Sequence, residues 1–253
     1  MVYRHTTEKP DYSLFSPGGV FYGLPGHPAF PVRLASEMFL ECAGRLASLG
    51  NPGPYHLFDP CCGGAYHLAT LACLHPGAIA SITASDIDAQ AVALAQRNLS
   101  LLTPQGLEAR RQHIAGILEQ YGKPSHREAL ERIDELSDLL MNQSRRPTIR
   151  VFQANALSTT ELTRHFDRDP PNLVLTDLPY GHQSTWIDAD PTESHPPAWR
   201  LLDTLHHLLP RQSVLAVAAD KAQKIAHPGY SQFRRIKVGH RQVVFLVHAD
   251  DEN

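Results

Sequence analysis

The order of short apolar segments and amphipathic segments predicts an α/β fold built on a mostly parallel sheet of seven strands. Seven short segments have strand character, and helical segments separate the first five of them. The last two follow each other directly and turn at Gly239, which predicts an antiparallel hairpin at the end of the sheet. A length of 253 residues with 42% hydrophobic residues is sufficient for one full core. We therefore predict a single domain over residues 1–253.

The amino-terminal part, residues 1–50, is predicted to be an arm followed by a helix. Residues 1–31 are rich in proline, glycine and aromatic side chains and show no sustained period, so we expect an ordered arm rather than a core element. Helical spacing links the apolar residues Leu34, Met38, Cys42, Leu46 and Leu49. The helix is expected to end at Gly50, two residues before a proline.

Strands and helices alternate over the rest of the chain. The seven strands are expected at residues 56–59, 81–85, 148–152, 172–176, 213–219, 233–238 and 242–248. The helices between them are expected at residues 65–74, 88–101, 159–166 and 198–209. In such a fold, helices cover both faces of the sheet, and ligands bind beyond the carboxyl ends of the parallel strands.

Residues 102–146 interrupt this alternation and are predicted to form an inserted helical hairpin. Thr103 has the side chain of an N-cap and is followed by a proline at the first turn, and the first helix is expected to end at Gly122. Ser125 and Glu128 have the spacing of a capping box, which predicts that they begin the second helix.

Composition excludes several classes of protein. The four cysteines include an adjacent pair but no C-x-x-C spacing, so neither a zinc site nor a disulfide framework is predicted, and we expect no metal. No apolar run is long enough for a membrane span, and the first residues lack the pattern of a signal peptide. We expect a soluble cytoplasmic protein that makes no contact with a membrane and is a monomer.

The charge distribution leaves the choice of partner open. A formal net charge of −3 argues against a nucleic-acid partner, because phosphate contacts supply most of the affinity for nucleic acids. Residues 221–249, however, contain six Lys or Arg and no Asp or Glu. This segment is either a basic face for a nucleic acid or ordinary solvated surface charge.

Residues 177–181, which follow the predicted fourth strand, combine four different chemical groups. Asp177 supplies a carboxylate, and Pro179 restricts Leu178 to extended geometry, which leaves the Leu178 carbonyl free to accept a hydrogen bond. Tyr180 supplies an aromatic face, and a glycine turn follows it. This combination suits a site that holds a planar base by its amino group.

The end of the first strand and the segment after it indicate a cofactor site. Residues 59–65 place an aspartate and two glycines between a strand and a helix, where small residues allow close approach of a ligand. Asp86, at the end of the next strand, is positioned to bind both ribose hydroxyls. Asp88 is assigned to N-capping the following helix. The spacing favours S-adenosylmethionine over a nicotinamide cofactor, with its ammonium near Asp59.

Two residues at this edge have alternative roles. Asn155, at the end of the third strand, either hydrogen-bonds the adenine edge of the cofactor or acts as a turn residue before Leu157. Cys61 lies in the cofactor loop, where a packing role is favoured over the thiolate that cytosine C5 chemistry requires.

Five segments, read together, resemble a known family: residues 25–35, 59–63, 84–88, 121–125 and 174–181. The chain resembles the class I S-adenosylmethionine-dependent methyltransferases and, more narrowly, the avilamycin-resistance (AviRa-type) ribosomal RNA guanine-N2 methyltransferases. The first and fourth segments are the narrower markers, since the others are shared by many methyltransferases. The resemblance implies a Rossmann-like class I methyltransferase fold, S-adenosyl-L-methionine as cofactor, and resistance to a ribosome-targeting antibiotic. The implied substrate is the N2 amino group of a guanine in large-subunit (23S) ribosomal RNA, free or in a ribosomal particle.

The resemblance also implies roles for individual residues. Cofactor contacts fall on Asp59, Gly63, Asp86 and Asn155, and the target base falls on Asp177 and Tyr180. From their place in the same two motifs, Cys61 is added to the candidate cofactor residues, and Leu178 and Pro179 to the candidate catalytic residues. Two departures stand out, because residues 63–66 read Gly-Gly-Ala-Tyr where the family pattern resembles Gly-Ser-Gly-Tyr, and Asn155 replaces the usual aspartate.

A mechanism and a set of RNA contacts follow as hypotheses. Asp177 and the Leu178 carbonyl accept the hydrogens of the guanine amino group, and Tyr180 stacks on a base that has been unstacked from the RNA. Arg33 and Lys123 are the expected RNA contacts. The loop at 182–197 is expected to fold over the substrate, with Trp186 either on the RNA or packing the loop in place.

Three other functions stay open at this stage. A small-molecule N-methyltransferase is compatible with the near-neutral charge, and a non-catalytic RNA-binding protein of the same fold is suggested only by Ala65 and Asn155. DNA N6-adenine methylation is the third, because an Asp-x-Pro-Tyr arrangement suits any exocyclic amine.

Overall fold

The computed structural model of the chain describes residues 3–8, 10–16, 18–23, 29–143, 145–166, 170–179, 186 and 194–251. Its strands are β1 (Tyr55–Asp59), β2 (Ile79–Asp86), β3 (Thr148–Gln153), β4 (Leu173–Asp177), β5 (Val214–Asp220), β6 (Tyr230–Val238) and β7 (Arg241–His248). They form one sheet in the order β3-β2-β1-β4-β5-β7-β6. The pairs among β1–β5 are parallel, and β7 is antiparallel to both β5 and β6. The predicted sheet and its terminal hairpin are confirmed.

The described helices are α1 (Val32–Ser48), α2 (Tyr66–Leu74), α3 (Ala89–Ser100), α4 (Pro104–Tyr121), α5 (Pro124–Met141), α6 (Thr159–Thr163) and α7 (Pro197–Leu208). Helices α4 and α5 form the predicted inserted hairpin. Helix α6 ends three residues earlier than its periodicity predicted. Within the described part of the chain, no helix has both the length and the apolar character that a membrane span requires.

Local capping chemistry is confirmed at three of four predicted positions. Asp88 Oδ1 accepts from the Gln90 amide at 2.8 Å, Thr103 Oγ1 accepts from the Gly106 amide at 3.1 Å, and Gly122 ends α4 with a φ of +62°. The capping box predicted at residues 125–128 is wrong, because α5 begins at Pro124 with Lys123 at the N-cap and no side-chain cap. Proline at the first helical position needs no partner for a backbone N–H, so the N-cap lies two residues earlier than the capping box predicted.

Alternate residues of each strand pack on opposite faces of the sheet. Leu57 belongs to the larger core cluster, which also contains side chains of α1–α5, whereas its neighbour Phe58 belongs to the cluster that includes residues of α7. Both side chains are fully buried. The sheet is therefore covered on both faces, as its apolar strands require.

The amino-terminal arm takes part in the core, which corrects the expectation that it lies outside it. Phe15, Val20, Phe21 and Phe30 are buried in the larger cluster, and the Phe21 ring meets the Tyr66 ring of α2 edge-on at 5.4 Å between centroids. Arm residues between helices fill space without a repeating pattern. Hydrophobic periodicity therefore did not identify them as core residues.

Glu37, a fully buried carboxylate in α1, fastens the start of the arm. Its oxygens accept hydrogen bonds from the backbone amides of residues 4, 5 and 6 at 2.7, 2.9 and 3.0 Å. Nη2 of Arg234 in β6 lies 3.4 Å from Oε1 of Glu37, and the Arg234 guanidinium also pairs with Glu41. Burial by itself raises the pKa of Glu37, but the bonds from Arg4, Thr6 and His5 outweigh it and hold the pKa below 4.5.

We expect Glu37→Gln to lower the free energy of unfolding by about 2–4 kcal/mol, because an amide nitrogen would then face backbone donors in a buried place. Since the pKa of Glu37 is lowered, the stability that its ionised carboxylate contributes is fully present above pH 4.5. It is lost as the pH falls below that value. Urea denaturation at neutral and acidic pH measures both effects. Glu108→Gln, at a carboxylate that is 56% exposed, is the matched control. A Glu37→Gln protein with wild-type stability would contradict this role.

Candidate active site

The candidate site lies where the parallel strands end and the strand order reverses. From β1 the sheet continues through β2 and β3 on one side and through β4 and β5 on the other. Asp59 ends β1, Asp177 ends β4, and Asp86 ends β2. In open α/β sheets ligands bind at this reversal, so the topology brings three predicted site residues to one edge.

Two hydrogen bonds join the loop after β1 to the end of β2. The Cys62 amide donates to the Ser85 carbonyl at 2.9 Å, and the Gly63 amide donates to Asp86 Oδ2 at 2.8 Å. Gly63 has a φ of +51°, and a Cβ placed on it would meet no atom within 4 Å. The loop therefore presents unobstructed backbone at Gly63, which suits close approach of a ligand.

Ala65 carries the main conformational cost of this loop. It has a φ of +51° and is fully buried at the N-cap of α2. The left-handed conformation costs a residue with a Cβ about 1–2 kcal/mol, whereas glycine adopts it freely. Glycine at this position would therefore avoid the conformational cost.

Asp59 is more deeply buried than we expected for a residue that contacts a ligand. Its side chain is fully buried, Oδ1 accepts from the Cys61 amide at 3.0 Å, and Oδ2 lies 3.0 Å from Nε2 of His67 in α2. Burial lowers the pKa of His67, but the bond to Asp59, the charges of Asp59 and Asp177, and a bond to the Leu175 backbone together raise it. Direct contact between Asp59 and a cofactor stays a prediction.

Asp86 and Asn155 both have structural contacts as well as their predicted roles. Asp86 is half-buried and accepts from the amides of Gly63 and Asp88, and burial raises its pKa. Asn155 Oδ1 accepts from the Leu157 amide at 2.9 Å, which is the turn geometry that was one of its two expected roles. Contact with ribose at Asp86 and with adenine at Asn155 remain predictions.

Cys61 has no character of a nucleophile in this setting. Burial raises the pKa of its thiol well above the ordinary value, and the charges of Asp59 and Asp86 raise it further. The thiol therefore stays protonated, and Cys61 packs against the core cluster that includes residues of α7. This geometry favours the packing role over cytosine chemistry.

Asp177 is a carboxylate in a largely apolar place. Its Oδ1 is buried and has no hydrogen-bond partner among the described residues, and its Oδ2 lies 3.9 Å from Nη2 of Arg241 in β7. A small cavity beside it is lined by side chains that include Phe30, Met38 and His67. Burial raises the pKa of Asp177 to about 6, against the lowering effect of Arg241 and His67.

The rest of the predicted base-binding motif is only partly described. Leu178 is buried and its amide donates to the Ala218 carbonyl at 2.9 Å, and the Pro179 carbonyl accepts from Gln223 Nε2 at 3.2 Å. Tyr180 and most of the loop that follows it lie outside the described residues. Trp186 is described and packs against the cluster that includes residues of α7. This contact corresponds to the packing role, one of the two alternatives expected for Trp186.

Arg33 and Lys123, the expected RNA contacts, lie in different surroundings. The Arg33 guanidinium donates to the carbonyls of Thr6 and Thr7 and lies 4.4 Å from the centre of the Tyr3 ring. It therefore helps to hold the arm. Lys123 is exposed between α4 and α5. RNA contact stays a prediction for both residues.

Two site residues were missed by the sequence analysis. No sequence motif identified His67. It is the second residue of α2, the helix that follows the glycine loop. Arg241 was counted only as part of the basic segment, and its position beside Asp177 depends on the pairing of β7 with β5. Within the described ranges, no group of three or more His, Cys, Asp or Glu is arranged to hold a metal ion.

The sheet order, the antiparallel hairpin and the site at the strand reversal define a class I methyltransferase fold. A family model described as rRNA methyltransferase AviRa matches residues 1–241. A protein of Streptomyces viridochromogenes named 23S rRNA (guanine(2535)-N(1))-methyltransferase is 37% identical over 248 residues, which are 98% of this chain and 96% of that protein. The chain belongs to the AviRa rRNA methyltransferase family.

The solved structures agree with this assignment. A crystal structure of the rRNA methyltransferase aviRa from Streptomyces viridochromogenes has a TM-score of 0.86 and 37% identity to this chain. The match covers 99% of this chain and 98% of that one. A second structure of aviRa from the same organism gives the same TM-score at 36% identity. The similarity therefore extends over the whole fold, including the arm and the inserted hairpin.

We expect Asp177→Asn to raise the free energy of unfolding at neutral pH by about 1–3 kcal/mol. Because the folded pKa is raised from 3.8 to about 6, the ionised carboxylate opposes folding, and wild-type stability falls as pH rises through that interval. The variant lacks this titration, so the difference between the proteins should vanish towards pH 3.8. Thermal unfolding across this pH range measures it, with the exposed Asp134→Asn as control. A variant less stable than the wild type at neutral pH would oppose this view of Asp177.

Proposed function

We propose that this protein uses S-adenosylmethionine to methylate a guanine base of 23S ribosomal RNA, and that the acceptor is the ring nitrogen N1. The family supports the substrate class, and the name of the Streptomyces viridochromogenes relative, a guanine N1-methyltransferase, supports the position. The observation that carries the proposal is Asp177, a half-buried carboxylate with a raised pKa at the point of strand reversal.

The choice between N1 and the N2 position that the sequence suggested depends on a proton. The exocyclic N2 amine needs only acceptors that orient its hydrogens, whereas N1 of guanine carries a hydrogen whose loss makes its lone pair available. A general base is therefore needed for N1, and a base is most effective when its pKa approaches the working pH. A pKa of about 6 for Asp177 fits this requirement better than an ordinary carboxylate would.

The residues at the strand ends fit the proposed cofactor. Gly63 offers open backbone after β1, and the half-buried Asp86 carboxylate next to it is available to ribose hydroxyls. Asn155 lies two residues after the end of β3, and its side-chain amide nitrogen is a donor for the adenine edge. When bound there, S-adenosylmethionine supplies a methyl group on a cationic sulfur.

The chain's own residues then orient the base and receive the proton. Asp177 accepts the N1 hydrogen as the nitrogen takes the methyl group, which leaves the carboxyl neutral in a place where burial already favours that form. The Arg241 guanidinium, 3.9 Å from Oδ2, limits how far the pKa rises and so keeps a fraction of the carboxylate ionised near neutral pH. Leu178 and Pro179 keep the backbone after Asp177 extended.

Resistance to a ribosome-targeting antibiotic is a further consequence that we propose from the family membership. A methyl group on N1 removes a hydrogen-bond donor from the base-pairing edge of guanine. A drug that contacts this edge would lose that bond and meet added bulk.

Labelled methyl transfer followed by nucleoside analysis tests the proposal. Purified protein, labelled S-adenosylmethionine and 23S ribosomal RNA or large ribosomal subunits should give 1-methylguanosine. The product 2-methylguanosine would instead support the N2 acceptor, and transfer only to small molecules would overturn the proposal. Small-subunit RNA is the substrate control.

We expect Asp177→Asn to lower the turnover number by about 10²–10⁴-fold, because a general base is lost. Affinity for S-adenosylmethionine, measured by calorimetry, should change little. In the wild type the rate should fall as pH decreases through about 6, since protonated Asp177 no longer accepts a proton. Asp134→Asn is the matched control for loss of an exposed carboxylate. A pH-independent wild-type rate between 5 and 8, or a fully active Asp177→Asn enzyme, would rule out the base.

A further inference from the structure

Two guanidinium groups and one imidazole surround the ring of Tyr22, and we call these four residues the Tyr22 cluster. The guanidinium carbons of Arg110 in α4 and Arg97 in α3 lie 4.0 and 5.2 Å from the centre of the ring. His113, one turn after Arg110, lies almost parallel to the ring, with 6.3 Å between centroids. Tyr22 itself is half-buried, so the cluster reaches the surface.

Arg110 forms the buried base of the Tyr22 cluster. Only 7% of the residue is exposed, and its guanidinium donates to the carbonyls of Val20 and Gly19 at 2.8 Å each. These bonds hold the arm, but carbonyls do not neutralise the charge. Within the part of the chain that the structure describes, no carboxylate forms an ion pair with Arg110 or Arg97. The cluster therefore keeps its positive charge.

Arg97 is the exposed member and has a different character from Arg110. It stacks on Tyr22, but its guanidinium makes no hydrogen bond to the arm among the described residues. A guanidinium that is stacked on an aromatic face keeps the N–H groups of its edge available, and that edge matches the oxygens of a phosphate. A role in holding the arm accounts for the position of Arg110, but it does not account for the position of Arg97.

The Tyr22 cluster is joined directly to the loop after β1. Asn98 follows Arg97 in α3 and is fully buried, and its amide donates to the carbonyl of Gly64 at 2.8 Å and to that of Tyr22 at 3.1 Å. Asn98 Oδ1 accepts from the Tyr22 amide at 2.8 Å. A Cβ on Gly64 would approach Leu94 of α3 to 2.6 Å, which shows how closely this loop packs on the helix.

We propose that the Tyr22 cluster binds the phosphate backbone of the RNA substrate, with Arg97 as the contacting residue. This inference rests on the proposed function, because it takes RNA as the substrate. The uncompensated positive charge, the exposed guanidinium edge and the neighbouring aromatic and imidazole rings are the features that RNA-binding surfaces combine. Because Asn98 fixes both Tyr22 and Gly64, RNA bound here is placed in a constant relation to the proposed cofactor loop.

Arg97→Gln tests this surface, because glutamine keeps part of the side-chain stem over Tyr22 and removes only the charge. We expect the KM for 23S ribosomal RNA to rise about 3–10-fold, with the turnover number at saturating RNA and the affinity for S-adenosylmethionine unchanged. The slope of log affinity against log salt concentration should fall by about 0.7, the amount for one phosphate contact with single-stranded RNA. Arg211→Gln is the matched control, since Arg211 is exposed, pairs with Asp250 and precedes the amino end of β5.

Direct RNA binding, measured by fluorescence anisotropy with a fragment of 23S ribosomal RNA, separates this proposal from the proposed function. Weaker binding by Arg97→Gln than by Arg211→Gln supports the surface, even if the wild-type protein transfers no methyl group to RNA. Equal binding and equal salt slopes for Arg97→Gln and the wild type overturn the surface, even if methyl transfer is intact. Tyr22→Leu, which removes the ring on which Arg97 stacks, should weaken binding in the same direction.

Discussion

The ion pair between Asp59 and His67 is the interaction on which the candidate site depends. Asp59 ends β1, His67 lies in the first turn of α2, and His67 also bonds the backbone of Leu175 in β4. One imidazole therefore joins a strand, the helix that follows it and the neighbouring strand at the place where the sheet order reverses. Removing either partner would leave the other buried polar group without this contact, so the pair constrains the geometry strongly.

The electrostatic state of Asp177 follows from this arrangement. Asp177 is adjacent to the Asp59–His67 pair, and its pKa reflects burial first, then the opposing charges of Arg241 and His67, then the charge of Asp59. The antiparallel hairpin affects the pKa of Asp177 through Arg241. This residue begins β7, where β7 pairs with the last residue of β6. A carboxylate held in this way costs stability, which is a common property of groups whose protonation serves a reaction.

Much of the fold was predictable because its signals are local. Strand positions, the inserted hairpin, the caps at Asp88 and Thr103, and the end of α4 at Gly122 all follow from residues that are near each other in the sequence. The arm was not predictable in this way. Phe15, Phe21 and Phe30 fill spaces between elements that are distant in sequence, and Glu37 binds backbone amides more than 30 residues away. Such contacts leave no period in the sequence.

Local sequence patterns are enough to predict which residues end the parallel strands, and so which side chains meet at the edge of the sheet. Asp59, Asp86 and Asp177 were identified in this way, because alternation of strands and helices implies a common edge. The burial of Asp59 against His67, the position of Asp177 beside Arg241 and the contact of Arg33 with the arm became known from the folded structure alone. The reason is physical: position along a strand is set by neighbouring residues, whereas burial and charge environment are set by side chains that only folding brings together.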